Sequence, residues 1–522
     1  PLTPNGKLDR RALPDPEQSM EPEHEYVAPR TVVEQQLVAI WREVLGVEQV
    51  GVFDDFFALG GHSLLTVRLM TQIEQTFGKR LPVAAIFQGR TVESLARIVT
   101  RHSEDSLWSS MAELHLPTVD LQNEAELDLL TCPEVWPGDK VLEVASIFLS
   151  GATGFIGTFL LHELLKQTSA DIFCLVRATS IEDARAKLQR NLKEALLWEP
   201  AFGERIHPIV GDLTLPRFGL SAEVFEELAQ RLDLIYHNGA QVNMVYPYQE
   251  LKAANVLGTK EILWLATHGK IKPLHYISTL GVLPHRGLTR VQQVNEQEAI
   301  DEYHEHVRGG YAQSKWVAEK LVTIARSRGL PVVIYRPGRV TGHSRTGAWR
   351  SDDVLCRVIK GCIQAGCSPV FSDEEVLEMT PVDYISQAIV ALSRRKASLG
   401  QSFHLLNPSV VRVNELIDWI NASGYSIRRV PYEQWLEQLG RATDNVLSPF
   451  LTLLPRQMES AEQSAQALKT VYDDRATRLN LSAARVACPP ADAGLIHAYL
   501  SYMVKSGFLP APQESASFKA LS

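Results

Sequence analysis

Ser150-Gly151-Ala152-Thr153-Gly154-Phe155-Ile156-Gly157 is the stretch that decides how this chain folds. An apolar run from Val144 to Leu149 leads into it, and a segment of helical spacing, Phe159-Leu160-Leu161 to Leu164-Leu165, leads out. The order is strand, glycine turn, helix. Glycines at this spacing let the backbone turn tightly, approach a pyrophosphate and pack helix against strand. The N–H groups and positive end of the new helix then hold phosphate charge. The stretch predicts a dinucleotide site, with Gly151, Thr153, Gly154, Phe155, Ile156 and Gly157 against the cofactor.

Outward from that turn, apolar strand candidates recur at Ser146–Ser150, Ile172–Val176, Ile206–Val210, Leu234–His237, Leu274–Ser278, Val332–Arg336 and Ser402–Leu406. Helical patterns lie between most of them. The alternation predicts an α/β fold, a Rossmann-type doubly wound parallel sheet. From Val411 onward the patterns are helical without a strand series. Residues 343–378 and 411–522 are therefore expected to form a mostly helical substrate lobe, beside a nucleotide core at 141–342 and 379–410. Upstream, Leu37, Ile40, Trp41 and Val44, preceded by Val32 and Val33, recur at helical spacing. With Leu64, Val67, Leu69 and Ile73, and then Val92, Leu95, Ile98 and Val99, they predict a small helical bundle over 26–103. Residues 104–140 read as a linker and lead-in, and 1–25 as an aperiodic Pro- and acid-rich segment.

The totals exclude several classes. With 522 residues, 45% hydrophobic and 22% charged, the composition is that of globular protein in two to four domains. A formal net charge of −9 with no basic block argues against a nucleic-acid partner. No apolar run approaches the ~20 residues that span a membrane. The six cysteines are too scattered for a disulfide framework. Cys356, Cys362 and Cys367 lack a zinc spacing and are expected to be small core residues, so no metal is assigned. A cytoplasmic location is expected. The first residue is Pro1, with no initiator Met or apolar signal core, so the chain reads as a piece of a longer protein.

Chemistry enters with Tyr311-Ala312-Gln313-Ser314-Lys315. On a helix, a phenol and an ammonium four residues apart share a face. A neighbouring ammonium stabilises phenolate and lowers the phenol pKa from ~10. Such a tyrosine gives a proton to an oxygen that has just received a hydride.

With the glycine turn, this pair resembles the extended short-chain dehydrogenase/reductase family. Tyr276-Ile277-Ser278-Thr279-Leu280-Gly281-Val282 stands where that family ends a strand in a catalytic Ser or Thr. By position the role goes to Thr279, with Ser278 as second choice, beside Tyr311 and Lys315. Four further segments match in order. The resemblance places Asp212 and Leu213 at the adenine, Asn238 and Ala240 on the cofactor floor, and Asn255 in a structural, cofactor-facing position. Pro337 and Val340 fall beside the nicotinamide. At the end of the second strand an acid selects NAD and an arginine accommodates a 2′-phosphate. Asp171 precedes the strand and should point away, whereas Arg177 follows it. NADPH is therefore expected, with Lys187 as a second phosphate contact.

Asp54-Asp55-Phe56-Phe57-Ala58-Leu59-Gly60-Gly61-His62-Ser63-Leu64-Leu65 resembles the peptidyl carrier domain of nonribosomal peptide synthetases. Ser63 corresponds to the serine that carries 4′-phosphopantetheine; read from residues alone, it is a helix N-cap. Thr3-Pro4-Asn5-Gly6-Lys7 resembles the end of an adenylation domain, with Lys7 an idle remnant. Together the chain resembles a termination module, carrier plus terminal thioester reductase. That implies NADPH-dependent release of a carrier-bound acyl or peptidyl thioester as an aldehyde, or further as an alcohol. It also implies upstream adenylation and condensation domains and a phosphopantetheinyl transferase as partners. Three alternatives stay open: a carboxylic-acid or aminoadipate reductase, a redox-inactive cyclising release domain, and a non-catalytic nucleotide-binding docking scaffold.

Overall fold

The computed structural model describes residues 26–79, 81, 85–101, 119–128, 144–286, 291–373, 375–442, 444–448 and 470–512. Lys7 and Cys132 lie outside the described residues. The chain divides into two compact units, one within residues 26–101 and one within 119–512.

Among the described residues the first unit holds four helices: α1 (Val32–Leu45), α2 (Ser63–Phe77), α3 (Ala85–Gln88) and α4 (Val92–Arg101). Leu37, Trp41, Val67, Leu69, Ile73, Leu95 and Val99 fill its core. Trp41 meets Phe56 edge-on, with ring centroids 5.1 Å apart. Val32, which the helical spacing counted inward, is exposed. Its place in the first turn is set by a capping box instead: Thr31 Oγ1 accepts from Glu34 N, and Glu34 accepts from Thr31 N.

The second unit is built on seven strands: β1 (Ser146–Ser150), β2 (Asp171–Val176), β3 (Ile206–Val210), β4 (Leu234–His237), β5 (Leu274–Ile277), β6 (Val332–Pro337) and β7 (Ser402–Leu405). They pair in the order β3-β2-β1-β4-β5-β6-β7, all parallel. Alternate side chains feed two cores. Ile147 and Leu149 of β1 join Ile172 and Cys174 of β2 on one face. Phe148 and Phe173 point to the other. Helices α5 (Phe155–Gln167) and α6 (Ile181–Glu194) cover the first face. Helices α7 (Ala222–Arg231), α8 (Gly258–Thr267) and α9 (Gly310–Ser327) cover the second. This two-sided burial is why most of the strands read as largely apolar runs in the sequence, while the edge strand β3 is only half-buried. The strand order reverses between β1 and β4, and ligands of such sheets bind at the carboxyl ends around that point.

Beyond the sheet lie α10 (Val354–Ala365), α11 (Val382–Ser393), α12 (Val413–Ala422), α13 (Tyr432–Arg441), α14 (Arg475–Ser482) and α15 (Ala493–Lys505). Of these, α11 returns to the sheet and packs on α5, while α12 packs on α15 and α10 on α13 in a helical lobe. Cys356, Cys362 and Cys367 are buried core residues there, as expected.

The chain after 411 does not all belong to that lobe. Thr470–Tyr472 pairs in parallel with Gln292–Val294, and Leu481 of α14 enters the first core. The carboxylate of Glu296 accepts from the N–H groups of Ala476 and Thr477 at 2.9 Å, anchoring α14 to the nucleotide core. Helical spacing alone could not tell which surface α14 covers. Residues 119–128, part of the linker in the sequence reading, also pack on this unit: Glu124 pairs with Lys252 at 2.7 Å and accepts from the Tyr248 hydroxyl at 2.9 Å.

Candidate active site

The glycine turn leaves β1 and enters α5 as expected. Gly151 has φ +71°, and a Cβ there would lie 2.6 Å from Gly239 Cα. A Cβ on Gly157 would lie 1.9 Å from the Gly151 carbonyl oxygen. Neither position admits a side chain. Gly154 is the N-cap, and no side chain among the described residues caps α5 there. Its opening N–H groups, on Phe155 and Ile156, therefore head the turn with the positive end of the dipole. The Thr153 carbonyl is held by Asn191 Nδ2 at 2.8 Å, and the Gly151 carbonyl by Asn238 Nδ2 at 3.1 Å. Leu213 lies against Gly239, which brings the loops after β1, β3 and β4 together. Asp212 shapes its loop by accepting from Thr214 N and Oγ1 at 2.8 and 2.9 Å. Half-buried Ala240 follows in the β4 loop.

Beneath the turn runs a buried chain of hydrogen bonds. Ser150 Oγ accepts from Gly239 N at 3.0 Å and lies 2.7 Å from His237 Nδ1. His237 Nε2 lies 3.0 Å from Thr259 Oγ1, which donates to the Asn255 carbonyl at 2.6 Å. Because Thr259 spends its proton on Asn255, His237 donates from Nε2, and its Nδ1 accepts from Ser150. Burial pushes the His237 pKa down to about 3, so the ring is neutral. Asn255 itself differs from the expectation of a cofactor-facing group. Its Oδ1 accepts from Gln241 N, and its Nδ2 donates to the Gln241 carbonyl and to Ser314 Oγ. Both ends are committed to protein, tying the β4 loop to α9.

The phenol and ammonium sit at the start of α9. A Cβ on Gly310 would lie 2.3 Å from the Tyr246 carbonyl oxygen, so the first turn of this helix presses on the β4 loop. Lys315 is buried; its Nζ donates to the Ile277 carbonyl of β5 at 2.8 Å and lies 4.3 Å from the Tyr276 ring centroid. Tyr311 is half-buried one turn earlier. Thr279 caps the short turn after β5, accepting from Gly281 N at 3.2 Å, which leaves its own O–H to donate elsewhere. Ser278 Oγ is buried, without a partner among the described residues.

One expectation is corrected. The sequence spacing implies that Lys315 lowers the Tyr311 pKa. In the structure burial dominates both groups, pushing the phenol up to about 12 and the ammonium down to about 7. Tyr311 therefore keeps its proton throughout the neutral range. Glu319, one turn beyond Lys315, counters the loss of ammonium charge. Its Oε1 accepts from Arg336 Nη2 at 2.6 Å and Nε at 3.0 Å, both side chains buried, while its Oε2 has no partner among the described residues. Sequence reasoning passed over Glu319, although its spacing puts it on the Tyr311–Lys315 face. Tyr276 and His237 stand in segments that the resemblance picks out, but nothing in the sequence marks what their own side chains touch.

Pro337 ends β6, and Val340 pairs alongside Thr380 in the following loop. Glu378 supports that loop, accepting from Arg339 N at 2.5 Å and Asn407 N at 3.0 Å. Arg177 is exposed directly after β2. Lys187 is beside it, donating to the Arg177 carbonyl at 3.0 Å while paired with Asp183 at 2.9 Å. In the first unit Ser63 is the first residue of α2, not its N-cap. The cap is His62, extended at φ −144° and ψ 174°, with no side-chain hydrogen bond among the described residues.

Two family models match the chain. One, described as "Phosphopantetheine attachment site", covers residues 35–99; the other, "Male sterility protein", covers 149–389. The terminal R domain from the myxalamid PKS-NRPS biosynthetic pathway superposes with a TM-score of 0.70 at 46% identity, over 76% of this chain and 100% of that one. The chain belongs to the terminal reductase family of nonribosomal peptide synthetases.

As a member, its second unit is an NAD(P)-binding oxidoreductase of Rossmann type, and its first is a phosphopantetheine carrier domain. A component of the linear gramicidin synthase of Brevibacillus parabrevis is 40% identical over 99% of this chain, which covers 10% of that protein. The chain spans between a tenth and about half of the curated relatives it matches. A thiolation-reductase di-domain from an archaeal non-ribosomal peptide synthetase shares the fold, with a TM-score of 0.68 at 24% identity over 93% of this chain and 100% of that one.

Proposed function

We propose that this reductase releases an acyl or peptidyl thioester, carried on 4′-phosphopantetheine at Ser63, as an aldehyde. NADPH is the reductant. One observation carries the reading: a buried lysine, one turn after a proton-bearing phenol, meets the end of β5 in a sheet whose glycine turn leaves an uncapped helix start, in a chain that also holds a carrier. The residues suit the nucleotide. Side chains are excluded at Gly151 and Gly157, the helix start at Phe155 and Ile156 is open, and Arg177 with Lys187 meets the 2′-phosphate. Asp212, Leu213, Asn238 and Ala240 line the adenine and floor, and Pro337 and Val340 flank the nicotinamide.

When bound, the nucleotide supplies a hydride to the thioester carbon. Thr279 O–H and Tyr311 O–H donate to the carbonyl oxygen as negative charge develops there. Tyr311 then gives up its proton, and Lys315 holds the nicotinamide ribose while its positive charge favours the phenolate left behind. The hemithioacetal collapses, the pantetheine thiol leaves and the aldehyde departs. Tethering makes the encounter effectively intramolecular, so modest affinity for the acyl chain suffices. Adenylation and condensation domains supply the cargo, and a phosphopantetheinyl transferase attaches the arm.

The test is product analysis from Ser63-loaded protein with NADPH. Aldehyde or alcohol is expected. Tyr311→Phe should lower turnover by about 10²–10⁴-fold with NADPH affinity retained. Wild-type turnover in that variant overturns the role given to Tyr311; NADPH bound without any product would leave a docking scaffold.

A further inference from the structure

The second unit contains a cavity of about 660 Å³ that none of the chemistry above uses. The second half of α5 (His162, Lys166), the loop after β6 (His343, Arg345, Thr346) and Gln387 of α11 line it. It is not the nucleotide site. Lys166 lies eleven residues beyond Phe155, about 16 Å along α5 at the helical rise. A wall of rings intervenes: Phe155 to Phe159 at 5.5 Å and Phe159 to His343 at 5.8 Å.

The wall of this cavity offers donors. His343 is 6% exposed, and its Nδ1 accepts from the N–H groups of Arg345 and Thr346 at 3.1 and 3.3 Å. The ring proton is therefore on Nε2, which has no partner among the described residues. Burial holds the His343 pKa below the usual imidazole value, so the ring is a neutral donor. Asp383, the nearest acid at 3.9 Å, is already taken by Ser344 N and Oγ at 2.8 and 2.6 Å. Lys166 and Arg345 are exposed cations with no ion-pair partner among the described residues. Thr346 accepts through Oγ1 from Ala348 N at 3.3 Å, leaving its O–H to donate. The carboxylate in the lining, Glu163, accepts from Gln167 Nε2 at 2.7 Å and lies 3.7 Å from His162 Nδ1. Against this one carboxylate, whose charge Lys166 also stabilises, His343, Thr346, Lys166 and Arg345 present donors with no acceptor among the described residues, and two of the four carry full charge. A group with several oxygens and negative charge satisfies them together.

We propose that this cavity binds a small organic oxyanion, a phosphate or a carboxylate, at a site separate from the nucleotide. Arg345 and Lys166 supply the charge, and His343 Nε2–H and Thr346 O–H orient it. The room around those donors admits a carbon skeleton beyond the anionic group.

Inorganic phosphate and acetate are the probes, titrated calorimetrically into the full chain at constant ionic strength with NADPH saturating, so that the cofactor's own phosphate contacts are filled. One-site saturable binding is expected, with phosphate above acetate marking the phosphate arm and the reverse marking the carboxylate arm. Arg345→Ala should weaken it about tenfold or more. His343→Asn keeps an acceptor near the Nδ1 position and removes only the donor, and should weaken it about threefold to tenfold. NADPH affinity should be unchanged in both. Non-saturable uptake of both anions, or affinity unmoved by both substitutions, overturns the proposal. A parallel loss of NADPH affinity would do so too, since the two sites would then be one.

Discussion

Two helix starts, one in each unit, pose the same electrostatic problem and resolve it differently. α2 and α5 both follow glycine-bearing turns, Gly60-Gly61 and Gly151 to Gly154, and neither has a side-chain hydrogen bond at its N-cap among the described residues. α1, by contrast, is closed by the reciprocal Thr31–Glu34 box. An uncapped start leaves N–H groups and positive potential for an external anion. At α5 the first helical residues are Phe155 and Ile156, with no nucleophile, so the phosphate proposed there is held without a covalent bond. At α2 the first helical residue is Ser63, and the phosphodiester proposed there is covalent. On the proposed function, one physical device serves exchangeable binding in one unit and permanent attachment in the other, and the chemistry of a single position separates the two.

That contrast can be broken from either side. The largest effect is expected from Ser63→Ala, which removes the nucleophile. Intact-mass spectrometry after incubation with a phosphopantetheinyl transferase should show complete loss of the arm, with NADPH affinity unchanged. Gly157→Ala is the mirror experiment. Its methyl must displace the Gly151 carbonyl, a clash that costs about 1–3 kcal/mol or more and closes the phosphate seat. NADPH titration should show a loss of tenfold or more in affinity, on the order expected from that cost, while Ser63 still loads normally.

Glu319→Gln sharpens the comparison within the second unit, because it alters charge without touching either helix start. Lys315 is an ammonium below about 7 and an amine above it, so turnover that uses the ammonium falls as pH rises through that value. Removing the negative charge beside it favours the amine further. The falling limb should move to lower pH by about one unit, and Glu319→Asp should restore it. Breaking the buried pair with Arg336 also costs about 3–5 kcal/mol, which a thermal melt will register. A destabilised variant with an unmoved limb would mean that Glu319 is structural only. The smallest effect is expected from Arg177→Ala. This exposed group should account for about a tenfold preference for NADPH over NADH, read from the ratio of kcat/KM values. An unchanged ratio would assign the 2′-phosphate to other groups.

Much of this was legible in the sequence, for a definite reason. A strand buried on both faces has no polar side to interrupt it, which makes β1, β2 and β6 stand out; all seven sheet strands, the half-buried edge strand β3 included, were placed with ends correct to about one residue. The glycine turn was legible because close backbone approach leaves no other residue type available at Gly151 and Gly157. What could not be read depends on distance in the folded chain. The Tyr311–Lys315 spacing gives the shared helix face but not the desolvation that sets both pKa values in opposite directions. A Gly-Gly-His-Ser run marks a helix start without saying whether His62 or Ser63 is the cap. The backbone N–H groups that fix the His343 tautomer come from its own loop, but the cavity it faces is assembled from separate segments of the chain.

The return of Thr470–Tyr472 to Gln292–Val294, followed by α14 anchored on Glu296, bears on how such reductases can be recombined. The helices that pack beyond the sheet are not a tail that can be cut at one seam. A chimera that exchanges them must cross over twice and leave residues 470–482 with the recipient, or the foreign piece will arrive missing one of its own fastenings while the host keeps a bare strand edge.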